Sequence, residues 1–366
     1  MPADSPSADL RRLTDLDEAW RECGAGARLD AVRKAGRRLR DRILSSGAAI
    51  CVRTADVATF PYPARYALQG VAALPWPYVF MRNRVHLVQV RASGRVVTIL
   101  VNPTDADRSA RAPFFARMQE RYGKLATRLL ASTAPSLEEV LRGWGVAPEA
   151  IDYVTFDHLH VQDVRGLLAP AAPGGRAFLP NARLLAQHAE LDTLAGLHPL
   201  QVEWYIADCL AGVPADRVVA LDGDYAIGSG YAIVRTPGHT GGNHSIVVVT
   251  DRGAWTISEN GVCVDAYAPG TSRIPGVARH ARDAGVEVIL NANTREGSLD
   301  QYTSMVLEKT IADAVPDRPE LPQHFSSSEM IPHMLAPGLA PTFSHGEITH
   351  GTVDTCADAS AARAGA

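Results

Sequence analysis

The sequence has few cysteines, and none of them form a recognisable pair. The 366 residues contain five cysteines, widely scattered and without a C-x-x-C motif. This distribution encodes neither a disulfide framework nor a cysteine zinc site. No apolar run approaches the roughly 18 residues of a membrane-spanning helix, and the first 40 residues lack the apolar core of a signal peptide. We therefore expect a cytoplasmic protein without a membrane partner.

An excess of charge of either sign is also missing. Lysine and arginine together number 36 against 40 acidic residues, which gives a formal net charge of −4 with histidine neutral. Such a surface offers nucleic acid no general electrostatic attraction. Hydrophobic residues make up 46% and charged residues 21% of the chain, as in ordinary globular proteins. We expect one large domain or two smaller ones that act on a small-molecule substrate.

The hydrophobic pattern changes its period along the chain. Three short β-branched runs at 48–53, 84–90 and 95–101 predict a strand meander. Beyond them, runs with helical spacing alternate with short apolar runs. This order is typical of sheets layered with helices and not of an all-α or all-β fold. Helices are expected at 114–130, 136–144, 182–191, 275–284 and 302–314, and strands at 151–156, 218–221, 231–236, 245–250, 254–258 and 286–290.

The composition at the two ends suggests a division of the chain. Residues 1–12 are rich in proline, serine and alanine and are expected to be frayed, and residues 13–44 have helical spacing. We therefore predict a helical extension over 1–47 and a main domain over 48–315. Residues 316–366 are predicted to form a C-terminal segment that ends in a disordered tail.

A His-x-His pair follows one of the predicted strands. Residues 151–156 lead directly into His158 and His160, with carboxylates close by in sequence. Two histidines on one turn can converge on a metal ion, and neighbouring carboxylates can orient their rings or bind a second ion. Taken alone, the pair fits a polar surface loop equally well.

A third histidine lies in a glycine-flanked loop after another strand. His239 stands in the stretch Pro-Gly-His-Thr-Gly-Gly, and two further predicted strands end in Glu259 and in the Asn-Ala-Asn of 291–293. Sheets of this class bind ligands outside the carboxyl ends of their strands, so residues distant in sequence can share one pocket. The convergence of four strand ends favours a metal site over a purely structural role.

These motifs resemble those of the metallo-β-lactamase superfamily, in its lactonase and glyoxalase II-like branch. The matching stretches read HLHVQD at 158–163, PGHTGG at 237–242, SEN at 258–260 and NAN at 291–293. The resemblance spans about residues 48–315 and implies an αβ/βα four-layer sandwich of the α/β (α+β) class. It implies that His158, His160 and His239 bind one divalent transition metal.

The sequence departs from the superfamily pattern at the second metal site. Gln162 and Asn293, or Asn291, stand where the superfamily places an aspartate and a histidine ligand, Asp163 replaces another histidine, and Glu259 replaces the bridging aspartate. Neutral amide oxygens are weak ligands, so a second ion is doubtful. The resemblance leaves Asp163 and Glu259 as further ligands of one ion, with Asp163 as a possible general base.

Three functions are compatible with these residues. The first is hydrolysis of an ester, lactone, thioester or amide by a metal-activated water, with zinc as the expected metal and iron or manganese as alternatives. The second is non-haem iron oxidation on the same fold. The third is a non-catalytic binding protein that has kept the scaffold.

A few residues outside the motifs are weaker candidates. Arg273, in the long loop after Glu259, is expected to bind an anionic group of the substrate. Tyr205 is expected to donate a hydrogen bond to an oxyanion that develops during the reaction. Trp204 and the aromatic stretch 62–78 are expected to line a cleft or the core. His324 could fold back and replace the missing last ligand. Homodimer formation is compatible with the sequence.

Overall fold

The computed structural model describes residues 8–123, 135–172, 174–292 and 297–355. Two large sheets face each other in the middle of the molecule, and helices cover their outer faces. This is the predicted αβ/βα sandwich. Among the described residues, no helix has both the length and the apolar composition that crossing a bilayer requires.

Eight strands form the larger sheet. Numbered in chain order, seven of them lie side by side in the order β16-β2-β3-β4-β5-β6-β7, and the eighth, β15, pairs with β3. These strands are β2 (Cys51–Pro63), β3 (Tyr78–Ala92), β4 (Arg95–Val101), β5 (Tyr153–Thr155), β6 (Arg183–Gln187), β7 (Val218–Leu221), β15 (Ser328–Ile331) and β16 (Thr349–Gly351). The meander predicted from the sequence is confirmed in β2, β3 and β4, which pair antiparallel.

Six strands form the second sheet, in the order β1-β8-β9-β10-β11-β14. They are β1 (Leu10–Leu13), β8 (Asp224–Ile227), β9 (Tyr231–Arg235), β10 (His244–Thr250), β11 (Gly253–Ser258) and β14 (His324–Ser326). The hairpin of β10 and β11 agrees with the pattern in the sequence. A separate pair of short strands, β12 (Ala314–Val315) and β13 (Arg318–Pro322), lies outside both sheets.

The described helices are mostly short and flank the sheets. They are α1 (Asp17–Trp20), α2 (Ala25–Ser45), α3 (Ala64–Ala67), α4 (Ala106–Ser109), α5 (Pro113–Tyr122), α6 (Leu137–Trp144), α7 (Arg165–Leu168), α8 (His188–Ala195), α9 (Val264–Tyr267), α10 (Val277–Ala284) and α11 (Ser298–Ile311). Single 3₁₀ turns occur at Pro148–Ala150, Ala215–Arg217 and Pro269–Thr271. Helix α6 begins with a capping box, in which the side chains of Ser136 and Glu139 each accept from the backbone N–H of the other residue.

Alternation of side chains along the strands produces the four layers. On β10, Ile246 and Val248 face the larger sheet, and Val247 and Val249 face α2 and α11. On the larger sheet, Leu87 likewise faces the outer helices. Since successive side chains of a strand point to opposite faces, each sheet buries one face against its partner sheet and the other against helices.

Two predicted elements differ from the structure. The apolar run at 182–191 is a strand followed by a helix, β6 and α8, because its first half pairs in parallel with β5 and β7. The run at 286–290 forms no strand, although Ile289 and Leu290 are buried. Helix α5 ends at Tyr122, and the rest of the predicted helix at 114–130 lies outside the described residues.

The described residues near both ends take part in the sandwich. Strand β1, in the segment expected to be frayed, pairs with β8 at the edge of the second sheet. Strand β14 pairs in parallel with β11, and β16 pairs antiparallel with β2. The predicted boundaries at 47 and 315 therefore separate strands that are hydrogen-bonded to each other. The domain boundaries stay a prediction, and we expect the strands outside them to be needed for folding.

Candidate metal centre

The loop after β5 carries the first two histidines. His158 and His160 are both buried, and their loop is held to the rest of the fold by backbone hydrogen bonds, one of them from Val161 N–H to the Trp204 carbonyl. Val161 has a positive φ of 54°, which lets the chain turn sharply immediately after His160. The sharp turn keeps both imidazoles at the end of the strand.

The loop between β9 and β10 carries the third histidine. Gly238 has a φ of +137°, and a Cβ added to it would lie 2.2 Å from Cα of Gln301 on α11. Only glycine fits this contact, which brings the backbone before His239 directly against the helix. The His239 N–H also donates to the Asn260 side chain over 3.3 Å.

The three histidines converge. One ring nitrogen from each of His158, His160 and His239 lies within 4.8 Å of the others, the only such group of ligand side chains among the residues the structure describes. Nδ1 of His160 and Nε2 of His239 are 3.3 Å apart. Two nitrogens bound to a tetrahedral zinc ion at about 2.0–2.1 Å stand about 3.3 Å apart, so this donor set fits a transition-metal ion.

A buried carboxylate orients one of these rings. Asp157 Oδ2 lies 3.1 Å from His158 Nδ1. Burial by itself lowers the pKa of His158, but the Asp157 carboxylate outweighs it and raises that pKa to about 9. His158 is therefore an imidazolium in the metal-free protein, and a metal would have to displace the proton on Nε2 while Asp157 keeps the proton on Nδ1, as in carboxylate–histidine pairs at zinc sites.

The other two rings favour the neutral form. Burial, followed by the positive charge of His158, keeps the pKa of His160 and of His239 well below the ordinary value. Neutral imidazole is the form that binds a metal. The protein environment thus prepares both side chains as ligands.

The histidines open into a small cavity of about 40 Å³. Aromatic side chains form one part of its wall, namely Phe60, Tyr62, Phe115 and Trp204. Polar side chains form another part, including Asn83, Gln162 and Glu259. The wall therefore combines aromatic and polar side chains, as the walls of small-molecule sites do.

Glu259 is the carboxylate on this wall that the sequence singled out. Its Oε2 accepts from Ser328 N–H at 2.5 Å, and its Oε1 lies 3.3 Å from Nδ2 of Asn291. Burial, together with the nearby Asp157 charge, raises the pKa of Glu259 to about 8. Asn291 Oδ1 accepts from the Tyr62 hydroxyl at 2.7 Å. Asn291 thus orients Glu259 and Tyr62, and Asn293 lies outside the described residues.

The structure does not bring Asp163 to the histidine cluster. Both of its oxygens bind the Arg165 guanidinium, at 2.8 and 2.6 Å. Burial acts to raise the pKa of Asp163, but Arg165 holds it below the ordinary value. The expected roles as ligand and general base are therefore revised, because Arg165 neutralises this carboxylate away from the cavity.

Three other candidates also lie apart from the cavity wall. The Tyr205 hydroxyl donates to Glu190 at 2.9 Å, and its ring packs edge-on against His160. Arg273 is exposed, and its backbone N–H bonds Thr342. His324 is buried on β14, with Nδ1 at 2.9 Å from the Thr256 hydroxyl. None of the three is among the described residues that line the cavity or join the histidine group.

Sequence reasoning missed several residues at the site. Asp157 directly precedes the His-x-His pair, and this adjacency was a usable signal. Asn83 and Glu190 come from strands and helices far from either motif, and nothing in their local sequence marks them. Tyr62 and Trp204, expected in the cleft or the core, do line the cavity.

Known proteins are similar to this chain over part of its sequence. No established protein-family profile matches the chain. An N-acyl homoserine lactonase from Bacillus sp. is 30% identical over 113 residues, which is 31% of this chain and 39% of the relative. A second N-acyl homoserine lactonase, from Bacillus cereus, is 26% identical over the same length. The match thus spans about two fifths of the relatives' length.

Two solved structures are similar to the chain at lower sequence identity. A quorum-quenching N-acyl homoserine lactone hydrolase has a TM-score of 0.49 and 13% identity, over 77% of this chain and 93% of that one. A hydrolase of the β-lactamase superfamily has a TM-score of 0.47 and 16% identity, over 84% and 96%.

The sandwich fold and the three clustered histidines agree with the resemblance of the sequence motifs to the metallo-β-lactamase superfamily. The two curated relatives named here, which share a segment of sequence with this chain, are N-acyl homoserine lactonases.

Proposed function

We propose that the chain is a metal-dependent hydrolase that cleaves an ester, lactone, thioester or amide of a small molecule. The observation that carries the proposal is the cluster of three buried histidines, with two donor nitrogens 3.3 Å apart, at the edge of a cavity. A catalytic zinc site typically has three protein ligands and keeps a further position open. The partial match to lactonases supports the same chemistry.

His158, His160 and His239 are the residues that would hold the ion. Zinc is the proposed metal, and iron or manganese suit the same ligands. A bound ion of this kind supplies a water with a pKa of about 7 and polarises the bond to be cleaved. Asp157 fixes the ring of His158 for that task.

Glu259 is the proposed proton acceptor. It lines the cavity with the histidines, and its raised pKa of about 8 suits proton exchange near neutral pH. Asn291 and the Ser328 N–H hold the carboxylate in place. The aromatic side chains of Phe60, Phe115 and Trp204 would contact an apolar part of the substrate next to the histidines.

One firmly held ion is proposed in place of the superfamily's two. Gln162 lines the cavity with a neutral amide, and Asn291 is engaged with Tyr62 and Glu259. Asp163 is bound to Arg165. The groups that could replace second-site ligands are thus either uncharged or already paired.

The proposal is tested by metal analysis and a substrate panel. Protein expressed with ample zinc and iron should carry about one equivalent of transition metal. It should hydrolyse members of a panel of small esters, thioesters, amides and lactones, headed by N-acyl homoserine lactones, equally well with and without oxygen. The His160→Ala variant should lose the metal and about 100-fold or more of the rate.

A matched control comes from another buried histidine. His324→Asn should keep both metal and activity, because His324 lies outside the cluster. Less than about a tenth of an equivalent of metal, without reconstitution, would refute the site. Turnover that requires iron and oxygen would instead establish the oxidative alternative. A cytoplasmic location and a homodimer stay predictions.

A further inference from the structure

One buried carboxylate, Glu190, is hydrogen-bonded to both of the loops that carry the three histidines. Glu190 lies in the first turn of α8 and is 1% exposed. Its side chain belongs neither to a histidine motif nor to the cavity wall. A buried carboxylate of this kind needs hydrogen-bond donors, since an unpaired charge in the interior is costly. Its donors come from three separate parts of the chain.

The first oxygen of Glu190 holds the loop of His158 and His160. Oε1 accepts from the backbone N–H of Leu159, the residue between the two histidines, at 2.8 Å. It also accepts from the Tyr205 hydroxyl at 2.9 Å, and the Tyr205 ring lies edge-on against His160 with centroids 4.6 Å apart. The backbone and one ring of this loop are thus both tied to Oε1.

The second oxygen holds the loop of His239. Oε2 accepts from the hydroxyl of Thr240, the next residue in the chain, at 2.7 Å. Two residues further on, a Cβ added to Gly242 would lie 2.3 Å from the Glu190 backbone nitrogen. The loop between β9 and β10 therefore lies directly against the start of α8.

We infer that Glu190 is a positioning residue that holds the two histidine loops at the separation a single metal ion requires. The inference rests on the proposed metal centre. The loops follow strands of different sheets, β5 and β9. They are also joined where the His244 N–H, at the start of β10, donates to the Asp157 carbonyl at 2.9 Å, so Glu190 adds a second bridge, on the side of α8. A carboxylate can bridge them because each of its oxygens accepts from a different loop.

The test is metal binding by folded, metal-free variants. Glu190→Leu keeps a similar volume but removes both acceptors, and we expect its affinity for Zn²⁺ or Co²⁺ alone to fall about 10- to 100-fold. Its Co²⁺ absorption spectrum should change as well, because the ligands are no longer held in the same geometry. Glu190→Gln should recover most of the affinity, since the Thr240 hydroxyl can reverse its role and accept from the new amide.

Two milder variants keep the inference testable if Glu190→Leu does not fold. Thr240→Val and Tyr205→Phe each remove one hydrogen bond to Glu190, and each should weaken metal binding by about 3-fold or more. Asp224→Leu is the control, because Asp224 is buried in β8 and touches neither loop. It should lower stability without changing metal affinity in the folded fraction.

The outcomes separate this inference from the proposed function. Wild-type affinity and an unchanged Co²⁺ spectrum in Thr240→Val, Tyr205→Phe and any folded Glu190→Leu would overturn the positioning role and leave the metal centre intact. Absence of metal binding in the wild-type protein would overturn both.

Discussion

At the scale of single residues, the burial of charge decides what each ionisable side chain does. Asp157 and Asp163 both flank the His-x-His pair, yet Asp157 contacts His158 and Asp163 contacts Arg165. Asp157 lines the cavity beside His158, whereas Asp163 is bound by Arg165 at the start of α7. Two chemically identical groups six residues apart therefore have different partners.

The same reasoning predicts a pH dependence of stability at a residue far from the site. Asp224 is 2% exposed, and burial raises its pKa to about 7 against the pull of the Arg235 N–H and of Arg12. In the unfolded chain an aspartate ionises near pH 4. Its contribution to stability is therefore fully present below about pH 4 and is lost as the pH rises through about 7.

We expect Asp224→Asn to remove this part of the pH dependence. The amide oxygen can still accept from the Arg235 N–H, which now lies 2.7 Å from Oδ1. Above pH 7 the variant should be more stable than the wild type, by on the order of 2 kcal/mol. Urea unfolding at a series of pH values measures this. Asp222→Asn changes an exposed neighbour and should leave the dependence of the unfolding free energy on pH unchanged. If the curve for Asp224→Asn ran parallel to that of the wild type, the pH dependence would not come from Asp224.

At the scale of elements, one helix positions the third histidine. Helix α11 contacts the loop after β9 through Ser304, whose hydroxyl donates to the Pro237 carbonyl at 2.7 Å. Its Glu308 accepts from Asn260 Nδ2 at 2.7 Å, and Asn260 in turn accepts from the His239 N–H. The position of His239 therefore depends on a helix some 60 residues further along the chain.

Gly238→Ala tests this dependence on α11. The new Cβ would meet the backbone of Gln301 at a φ that other residues rarely adopt, so the loop and the helix must separate. We expect a loss of about 2 kcal/mol or more in stability and weaker metal binding. Denaturant unfolding and metal titration measure the two effects.

A second glycine serves as the control for that substitution. Gly143 lies inside α6, and a Cβ added there meets no atom within 4 Å. Gly143→Ala should leave metal binding unchanged and raise stability by about 0.5–1 kcal/mol. A wild-type metal affinity in Gly238→Ala would show that the close approach to α11 does not position His239.

At the scale of the whole molecule, residues near both ends complete the sheets. Strand β14 is hydrogen-bonded to β11, and the Arg53 guanidinium on β2 donates to the carbonyls of His350 and Gly351 on β16. The buried ion pair of Arg84 and Glu329 joins β3 to β15. The sandwich therefore depends on contacts between parts of the chain about 70 to 300 residues apart.

We expect a chain limited to residues 48–315 to fail to fold. It would lack β1, β13, β14, β15 and β16 as well as α1 and α2, so β8, β11, β3 and β2 would each lose a paired strand. We expect a chain of residues 8–355 and the full chain both to unfold cooperatively. Circular dichroism with thermal unfolding compares the two. A cooperative transition in the 48–315 chain would establish it as an independent domain.

Local sequence patterns were enough to predict many elements and part of the site. The His-x-His pair, the glycine-flanked His239 and the capping box of α6 are short motifs whose structure depends on neighbours in the chain. The helix expected at 182–191 was wrong in its first half, because pairing with β5 and β7 overrides local propensity.

The sequence by itself determined that three histidines would follow strand ends, that helices would alternate with strands, and that neither disulfides nor an excess of charge would hold the fold together. Only the tertiary structure decided which carboxylates serve the site. Glu259 faces the cavity, Glu190 joins the two histidine loops, and Asp163 is bound by Arg165. The physical reason is that the direction and neutralisation of a buried charge depend on groups brought together from distant parts of the chain, and no local pattern encodes them.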